Sequence, residues 1–168
     1  MHKKTKNLVQ AALIAALYLA LSLLQNALLY GSASWAIQLR VAEALCVLAF
    51  FTPAAIPGLA VGCMLFNLSM ASSLPLDVPV GTAATALAAW GMYALRRVTV
   101  KGYPLPGLLM PAVCNGLLVG WELWLCMGGG FWVNVLYVAA EEVAVLLILG
   151  SPLYYALKSK GLAKYLET

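Results

Sequence analysis

Residues 44–76, with the sequence ALCVLAFFTPAAIPGLAVGCMLFNLSMASSLPL, contain no charged side chain and decide the fold of this chain. As one α-helix this stretch would be about 50 Å long, whereas the hydrocarbon core of a bilayer is about 30 Å thick. Pro53 and Pro57 interrupt it, because proline lacks the backbone N–H that a helix interior requires. The stretch therefore predicts the end of one membrane-spanning helix and the whole of the next.

The composition of the whole chain is that of a membrane protein. Of its 168 residues, 64% are hydrophobic, 10 are basic and 6 are acidic, whereas a soluble domain has about 25% charged residues. So few charges cannot cover the surface of a soluble globule. Uncharged stretches also span residues 8–39, 78–95, 102–121, 123–140 and 143–157. These numbers exclude a soluble domain and indicate that most of the chain lies in lipid.

Turn-forming segments divide these stretches into six predicted transmembrane helices within a single domain, residues 1–168. The breaks are marked by Gly-Ser-Ala-Ser at 31–34, Ser-Ser-Leu-Pro at 72–75 and three glycines at 128–130. We expect Asp77 to cap the fourth helix and Pro152 to kink the sixth. The predicted helices of this all-α membrane bundle cover residues 7–29, 36–51, 53–71, 78–95, 105–127 and 131–158.

The basic residues predict the orientation of the bundle, since Lys and Arg accumulate in cytoplasmic loops. With six spans both termini share a side, and nine of the ten basic residues fall on it. Only Arg40 lies elsewhere, inside the predicted second helix. We therefore expect a multi-pass protein of the cell membrane, with both termini and the 96–101 loop cytoplasmic and the 128–130 loop external. Topology and anionic lipid explain the net charge of +4, so we expect no nucleic-acid partner.

No motif of the chain indicates an enzyme. It has no Gly-x-x-x-x-Gly-Lys sequence for nucleotide hydrolysis, and its only histidine, His2, is too close to the terminus for a Ser-His protease. The cysteines lie in apolar helices without a Cys-x-x-Cys pair, so we interpret them as small hydrophobic residues: Cys46, Cys63, Cys114 and Cys126. We expect no metal and no cofactor. We also expect the first helix to be retained, since its 23 residues are long for a signal peptide.

Polar residues within the predicted spans are the candidates for function, because ionisable groups in a membrane are costly. The antiparallel topology places Arg40 and Glu43 near the outer end of the second helix and Asn67 in the outer half of the third. Asn115 and Glu122 share a face of the fifth helix at i, i+7. Of the adjacent acids in the sixth helix, 141 and 142, only one faces a polar interior, and we choose Glu141 for that position.

The aromatic residues and the charge of the spans narrow the range of possible ligands. Trp121 and Trp124 lie at the level of the polar residues, where they serve either as membrane-interface residues or as the flat walls of a pocket. Arg40 and Glu43, at i, i+3, are also compatible with a purely structural ion pair. Against one arginine, the spans carry four glutamates, which favours a cation or an N–H-rich heterocycle over an anion. The candidate binding residues are Arg40, Glu43, Asn67, Asn115, Trp121, Glu122, Trp124 and Glu141.

Several segments resemble the QueT group of substrate-binding S components from energy-coupling factor (ECF) transporters. The most specific is IQLRVAEAL at 37–45, which departs from the expected pattern at Val41 and Ala42, where a serine would precede the glutamate. The resemblance covers nearly the whole chain. The other segments are LIAALY at 13–18, PAAIPGL at 53–59, Gly-Cys at 62–63 with Asn67, and Asn-Gly-Leu at 115–117 leading to Glu122.

The resemblance implies a six-helix protein that captures queuosine precursors, which are 7-deazaguanine bases. It also implies a shared module of two ABC ATPases and a transmembrane coupling protein. From residue chemistry we expect Glu43 or Glu122 to accept from the N1–H and exocyclic amine of the base. We expect the two asparagines to read its carbonyl and ring nitrogens, Trp121 or Trp124 to stack on it, and Arg40 to order the carboxylates.

A stripe of small residues marks the first helix. Ala12, Ala16 and Ala20 recur every four residues and allow another helix to approach closely. Such a stripe serves either packing within the chain or docking to another protein. By resemblance to S components, it docks on the coupling protein.

Other functions stay open from the sequence. One is an S component for another donor-rich or cationic vitamin-like molecule. Another is a small stand-alone secondary transporter that works as a dimer and uses a proton-coupled carboxylate such as Glu141. A membrane enzyme has the least support, since no nucleophile or metal set with a known spacing is found.

Overall fold

The computed structural model describes residues 3–29, 40–70, 74 and 76–159. The structural statements that follow refer to these residues. The predicted turn at 31–34, the start of the second helix at 36–39, most of the loop at 72–75 and the tail beyond residue 159 lie outside them.

The described residues form six continuous helical segments and contain no β-strand. This confirms the predicted all-helical architecture and is consistent with a bundle in a membrane. The segments are α1 (Lys3–Leu28), α2 (Val41–Phe50), α3 (Ala55–Ser69), α4 (Asp77–Gly81 continuing as Thr82–Ala94), α5 (Leu105–Leu108 continuing as Met110–Met127) and α6 (Phe131–Val145, Leu146–Gly150 and Ser151–Ser159).

The second segment differs most from the prediction. It is a 3₁₀ helix, and Arg40 precedes it in an extended conformation, with φ −93° and ψ 93°. The prediction that Arg40 lies inside a helix was therefore wrong. The physical reason is a side chain of α1: Val41 N–H donates to Gln25 Oε1 at 2.8 Å, so the backbone at this point is held by α1.

Proline distorts two other segments. The end of α6 contains a π-helical turn, Leu146–Gly150, directly before Pro152, and Ser151 N–H donates to Leu146 O. The proline ring excludes the usual carbonyl four residues earlier, so the chain takes a wider turn at the predicted kink. The start of α4, Asp77–Gly81, is also π-helical and contains Pro79. Asp77 does not cap α4 as predicted, because its carboxylate accepts from Leu74 N–H at 2.7 Å instead.

Glycines let the helices pack closely in two pairs. A Cβ at Gly62 of α3 would lie 2.7 Å from Tyr18 Cβ of α1, and one at Gly120 of α5 would lie 2.8 Å from Val135 Cα of α6. These distances leave no room for a side chain at either glycine. The pairs α1–α3 and α5–α6 are therefore in backbone-to-backbone contact, and their relative rotation is fixed by packing.

Three of the described helices are long and apolar enough to cross a membrane: Lys3–Leu28, Leu105–Met127 and Phe131–Ser159. Val41–Phe50 and Ala55–Ser69 are apolar but shorter. Ten residues of 3₁₀ helix rise only about 20 Å, less than a bilayer core of about 30 Å. The six full spans and their orientation in the membrane thus stay predictions, while the helical bundle itself is observed.

Candidate ligand-binding site

Buried polar side chains gather toward one end of the bundle, where α1, α3 and α5 end and α2, α4 and α6 begin. Residues in or next to all six segments contribute side chains to this set. The sequence had indicated contributions from only four of the six predicted helices. Each of these side chains is at most 9% exposed. The polar cluster, as we call this set, consists of Tyr18, Arg40, Glu43, Asn67, Asp77, Thr85, Asn115, Glu122 and Glu142.

Glu43 is fully occupied by hydrogen bonds from the protein. Its Oε1 accepts from the Tyr18 hydroxyl at 2.5 Å and from Thr85 Oγ1 at 3.4 Å, and its Oε2 accepts from Cys46 Sγ at 3.1 Å. These donors come from α1, α4 and α2. Because both oxygens already have donors, Glu43 is held as a part of the protein scaffold.

The Arg40 guanidinium donates hydrogen bonds to other buried residues with only part of its N–H groups. Its Nη1 donates to Cys63 Sγ at 3.6 Å and its Nη2 donates to Asn67 Oδ1 at 3.4 Å. Among the described residues, Arg40 Nε has no hydrogen-bond partner. The hydrogen bonds of Arg40 and Glu43 thus go to different groups, which weakens the alternative that these two residues form only a structural ion pair.

Both asparagines orient other protein groups. Asn67 Nδ2 donates to the carbonyl of Asp77 at 2.7 Å while its Oδ1 accepts from Arg40. Asn115 Nδ2 donates to Glu142 Oε1 at 2.5 Å. Both asparagines are therefore in the cluster as expected, but their NH₂ groups donate to other groups of this chain.

Glu122 differs from Glu43 in having no N–H, S–H or hydroxyl donor among the described residues. Its side chain is 0% exposed, and within the described part of the chain neither carboxylate oxygen has a hydrogen-bond partner. Its charged neighbours are Arg40 and the Asp77 carboxyl, which lies within hydrogen-bonding reach of Glu122. A carboxylate without a donor in an apolar interior is costly, so these two oxygens are the strongest indication of a ligand with N–H groups.

The sixth helix turns Glu142, rather than the chosen Glu141, into the cluster. Glu142 is 7% exposed and accepts from Asn115, and its Oε2 has no partner among the described residues. Glu141 is half-buried and has an interaction of its own. The reason is helix phase: Val135, Val138 and Glu142 share one buried face of α6.

The two candidate tryptophans lie outside the cluster. Trp121 and Trp124 are 41% and 43% exposed and flank the inward-facing Glu122 on α5. Trp124 packs edge-on against Phe131, with the ring centroids 6.1 Å apart. Of the two interpretations from the sequence, their exposure favours residues at the membrane interface.

The small-residue stripe of α1 is on the opposite side of that helix from the cluster. Ala12, Ala16 and Ala20 are all exposed, whereas Tyr18 is 0% exposed. The stripe therefore does not serve packing within the described part of the chain.

A small cavity lies between Arg40 and Glu142. It has a volume of about 10 Å³ and is lined by Arg40, Asn115, Val119, Val138 and Glu142. This is room for about one water molecule, whereas ligand pockets measure roughly 300 Å³ or more. The cavity combines an arginine donor, a carboxylate acceptor and two valine walls, and it must widen to admit a heterocycle.

Sequence reasoning missed four members of the cluster: Tyr18, Asp77, Thr85 and Glu142. A signal for the first was present, since Tyr18, Ser22 and Gln25 form a polar stripe at i, i+4, i+7 in an apolar helix, and all three are buried. For Asp77 the local capping pattern pointed to a different role. Thr85 is mildly polar and has no signal of its own in the sequence.

A family model described as QueT transporter matches residues 8–159. The chain belongs to the QueT transporter family. Comparisons with curated proteins and with solved structures gave no match. The matched residues include every member of the polar cluster, and the resemblance inferred from the sequence is confirmed at the level of the family.

Membership in the QueT family agrees with a membrane protein that transports rather than catalyses. It supports an ECF-type S component with a small-molecule substrate.

Proposed function

We propose that this chain is the substrate-capture subunit of an ECF-type ABC importer and that it binds a queuosine precursor or a related 7-deazaguanine. The observation that carries the proposal is the pair of buried Glu122 oxygens, which accept from no N–H or hydroxyl group of the described residues. Family membership supports transport, and the polar cluster supports a ligand that donates several hydrogen bonds. The base would enter from the outer face and reach the cytoplasm through partner proteins.

Glu122 is the residue we assign to the guanine-like edge. A 7-deazaguanine presents N1–H and an exocyclic amine side by side, and one carboxylate accepts both in parallel. Glu43 was the alternative from the sequence, but its oxygens are occupied by Tyr18, Thr85 and Cys46. Glu142 Oε2 provides a further acceptor about two helical turns further into the bundle.

Arg40 is assigned to the carbonyl oxygen of the base, because its Nε is the donor of the cluster that has no partner in the described residues. Asn67 and Asn115 then hold Arg40 and Glu142 in place. We assign the faces of the bicycle to Val119 and Val138, which line the cavity. Trp121 and Trp124 fit the membrane interface better than the stacking role expected from the sequence.

The charge of the cluster favours the same class of ligand. One arginine is buried with four carboxyl groups, Glu43, Asp77, Glu122 and Glu142. A neutral or cationic ligand with N–H donors compensates buried carboxylates, whereas an anion adds to their repulsion.

Transport would be energised by partners. The chain contains no nucleotide-binding motif, so we propose that a coupling transmembrane protein and two ABC ATPases supply the energy. The exposed stripe Ala12, Ala16 and Ala20 is the surface we assign to the coupling protein. In this arrangement the termini and the 96–101 loop face the cytoplasm.

Calorimetric titration of the purified protein tests the proposal. The ligands are guanine, queuine and aminomethyl-7-deazaguanine, and we expect at least one to bind with sub-micromolar affinity, roughly −8 kcal/mol or better, without ATP. Absence of binding by all three, with binding of another cationic vitamin-like molecule, would establish a different S-component substrate. Uptake by cells that lack any ECF ATPase would instead establish the stand-alone transporter.

A further inference from the structure

The N-terminal end of α2 is held by two side chains of α1. Tyr18 donates its hydroxyl proton to Glu43 at 2.5 Å, and Gln25 accepts from the backbone N–H of Val41 at 2.8 Å. Tyr18 and Gln25 are 0% and 7% exposed. They lie on the same face of α1, two turns apart, so they hold α2 at two points.

Arg40 directly precedes these two points. Val41 is its direct neighbour, and the Arg40 carbonyl accepts from Glu43 N–H at 3.0 Å. Arg40 has an extended backbone and is joined directly to the first residue of α2. The direction in which its guanidinium leaves the backbone is therefore set by contacts from α1.

Tyr18 itself has little freedom. Its Cβ lies 2.7 Å from the position that a Cβ would take at Gly62, so the ring is pressed against α3. Cys63, the next residue of α3, lies 3.6 Å from Arg40 Nη1. Tyr18 of α1 therefore packs against α3 and bonds to Glu43 of α2, close to the residues that hold Arg40 at the cavity.

We infer that Tyr18 and Gln25 are positioning residues that hold the Arg40 guanidinium at the ligand site. The inference rests on the proposed function, in which Arg40 contacts the ligand. Neither residue lines the cavity, whereas Arg40 does, so we infer that their effect on the ligand passes through Arg40.

The first test measures affinity for aminomethyl-7-deazaguanine by calorimetry. Tyr18→Phe removes only the hydroxyl, and Gln25→Leu removes only the polar end of its side chain. We expect each to weaken binding about tenfold. Tyr154→Phe is the matched control, since Tyr154 is also buried but belongs to the aromatic contacts of Phe50 and Phe51 at the other end of the bundle. The control keeps wild-type affinity.

A double-mutant cycle separates positioning from a general loss of structure. In an Arg40→Met background, Tyr18→Phe and Gln25→Leu should cause less than a twofold further loss of affinity. If their tenfold effects persist in that background, the two residues do not act through Arg40 and the inference is wrong.

A second measurement needs no ligand. In a Cys46→Ser, Cys114→Ser, Cys126→Ser background, the alkylation rate of Cys63 by N-ethylmaleimide reports how tightly Arg40 covers this thiol. We expect Gln25→Leu to raise the rate at least threefold and Tyr154→Phe to leave it unchanged. Tyr18→Phe is not used in this measurement, because the Tyr18 hydroxyl reaches the Cys63 thiol directly. If the variant raises the alkylation rate of Cys63 but the wild type does not bind aminomethyl-7-deazaguanine, the positioning role is supported and the proposed substrate is refuted. Unchanged alkylation rates would overturn the positioning role, whatever the wild type binds.

Discussion

Glu122→Gln is the most informative single change, because it should move affinity and stability in opposite directions. In the complex, glutamine keeps one acceptor oxygen but turns an NH₂ group toward an N–H of the base. One charge-assisted hydrogen bond is lost and two donors face each other. Since a hydrogen bond to a charged group contributes about 1.5–3 kcal/mol, affinity should fall roughly 10- to 150-fold.

Without ligand the same change should be neutral or stabilising. No N–H or hydroxyl group of a described residue donates to Glu122, which is 0% exposed. Glutamine removes the cost of a buried carboxyl, and its NH₂ group can donate to the neighbouring Asp77 carboxylate. Glu43→Gln is the matched control: it disturbs the bonds from Tyr18, Thr85 and Cys46 and should lower the melting temperature. The assays are calorimetric titration with aminomethyl-7-deazaguanine and thermal unfolding in detergent.

Two results would refute this reasoning about Glu122. Wild-type affinity in Glu122→Gln would show that this carboxylate does not contact the base, and the role would pass to Glu142. A fall in melting temperature as large as that of Glu43→Gln would show that Glu122 is held by the protein after all.

Three further predictions follow from the packing and the charges. Glu142→Gln should weaken binding more than Glu141→Gln in the same titration, because only Glu142 lines the cavity; equal effects would contradict the assignment. Ala16→Trp should keep ligand affinity in detergent but abolish co-purification with the coupling protein, since Ala16 is exposed; loss of binding together with stability would mean that the stripe packs internally. With Lys101→Cys or Gly129→Cys as the single cysteine of the chain in intact cells, only Gly129→Cys should react with an impermeant thiol reagent, and the reverse pattern would invert the predicted orientation.

Local properties of the sequence were enough to predict the class of protein and its general architecture. Uncharged stretches, prolines and glycines act on the chain within one or two turns, so they indicate helices and breaks without knowledge of the neighbours. The same holds for the polar residues in the spans. Arg40, Glu43, Asn67, Asn115 and Glu122 were all expected in the cluster and are found there.

The partners of these side chains depend on tertiary structure. Glu43 and Glu122 are both buried glutamates, yet one accepts three hydrogen bonds and the other has no donor in the described residues. The difference comes from Tyr18 and Thr85, which are 25 and 42 residues away from Glu43 in sequence. No pattern along the chain indicates which glutamate those two hydroxyls will reach.

Helix rotation is likewise a tertiary property. Glu141 and Glu142 are adjacent and chemically identical, and about 100° of rotation decides which of them faces inward. That rotation is set where Gly116 and Gly120 of α5 meet α6, since a Cβ at Gly120 would lie 2.8 Å from Val135 Cα. The sequence alone therefore determined that a buried acid lies in the sixth helix, and only the close contact of two helices decided that it is Glu142.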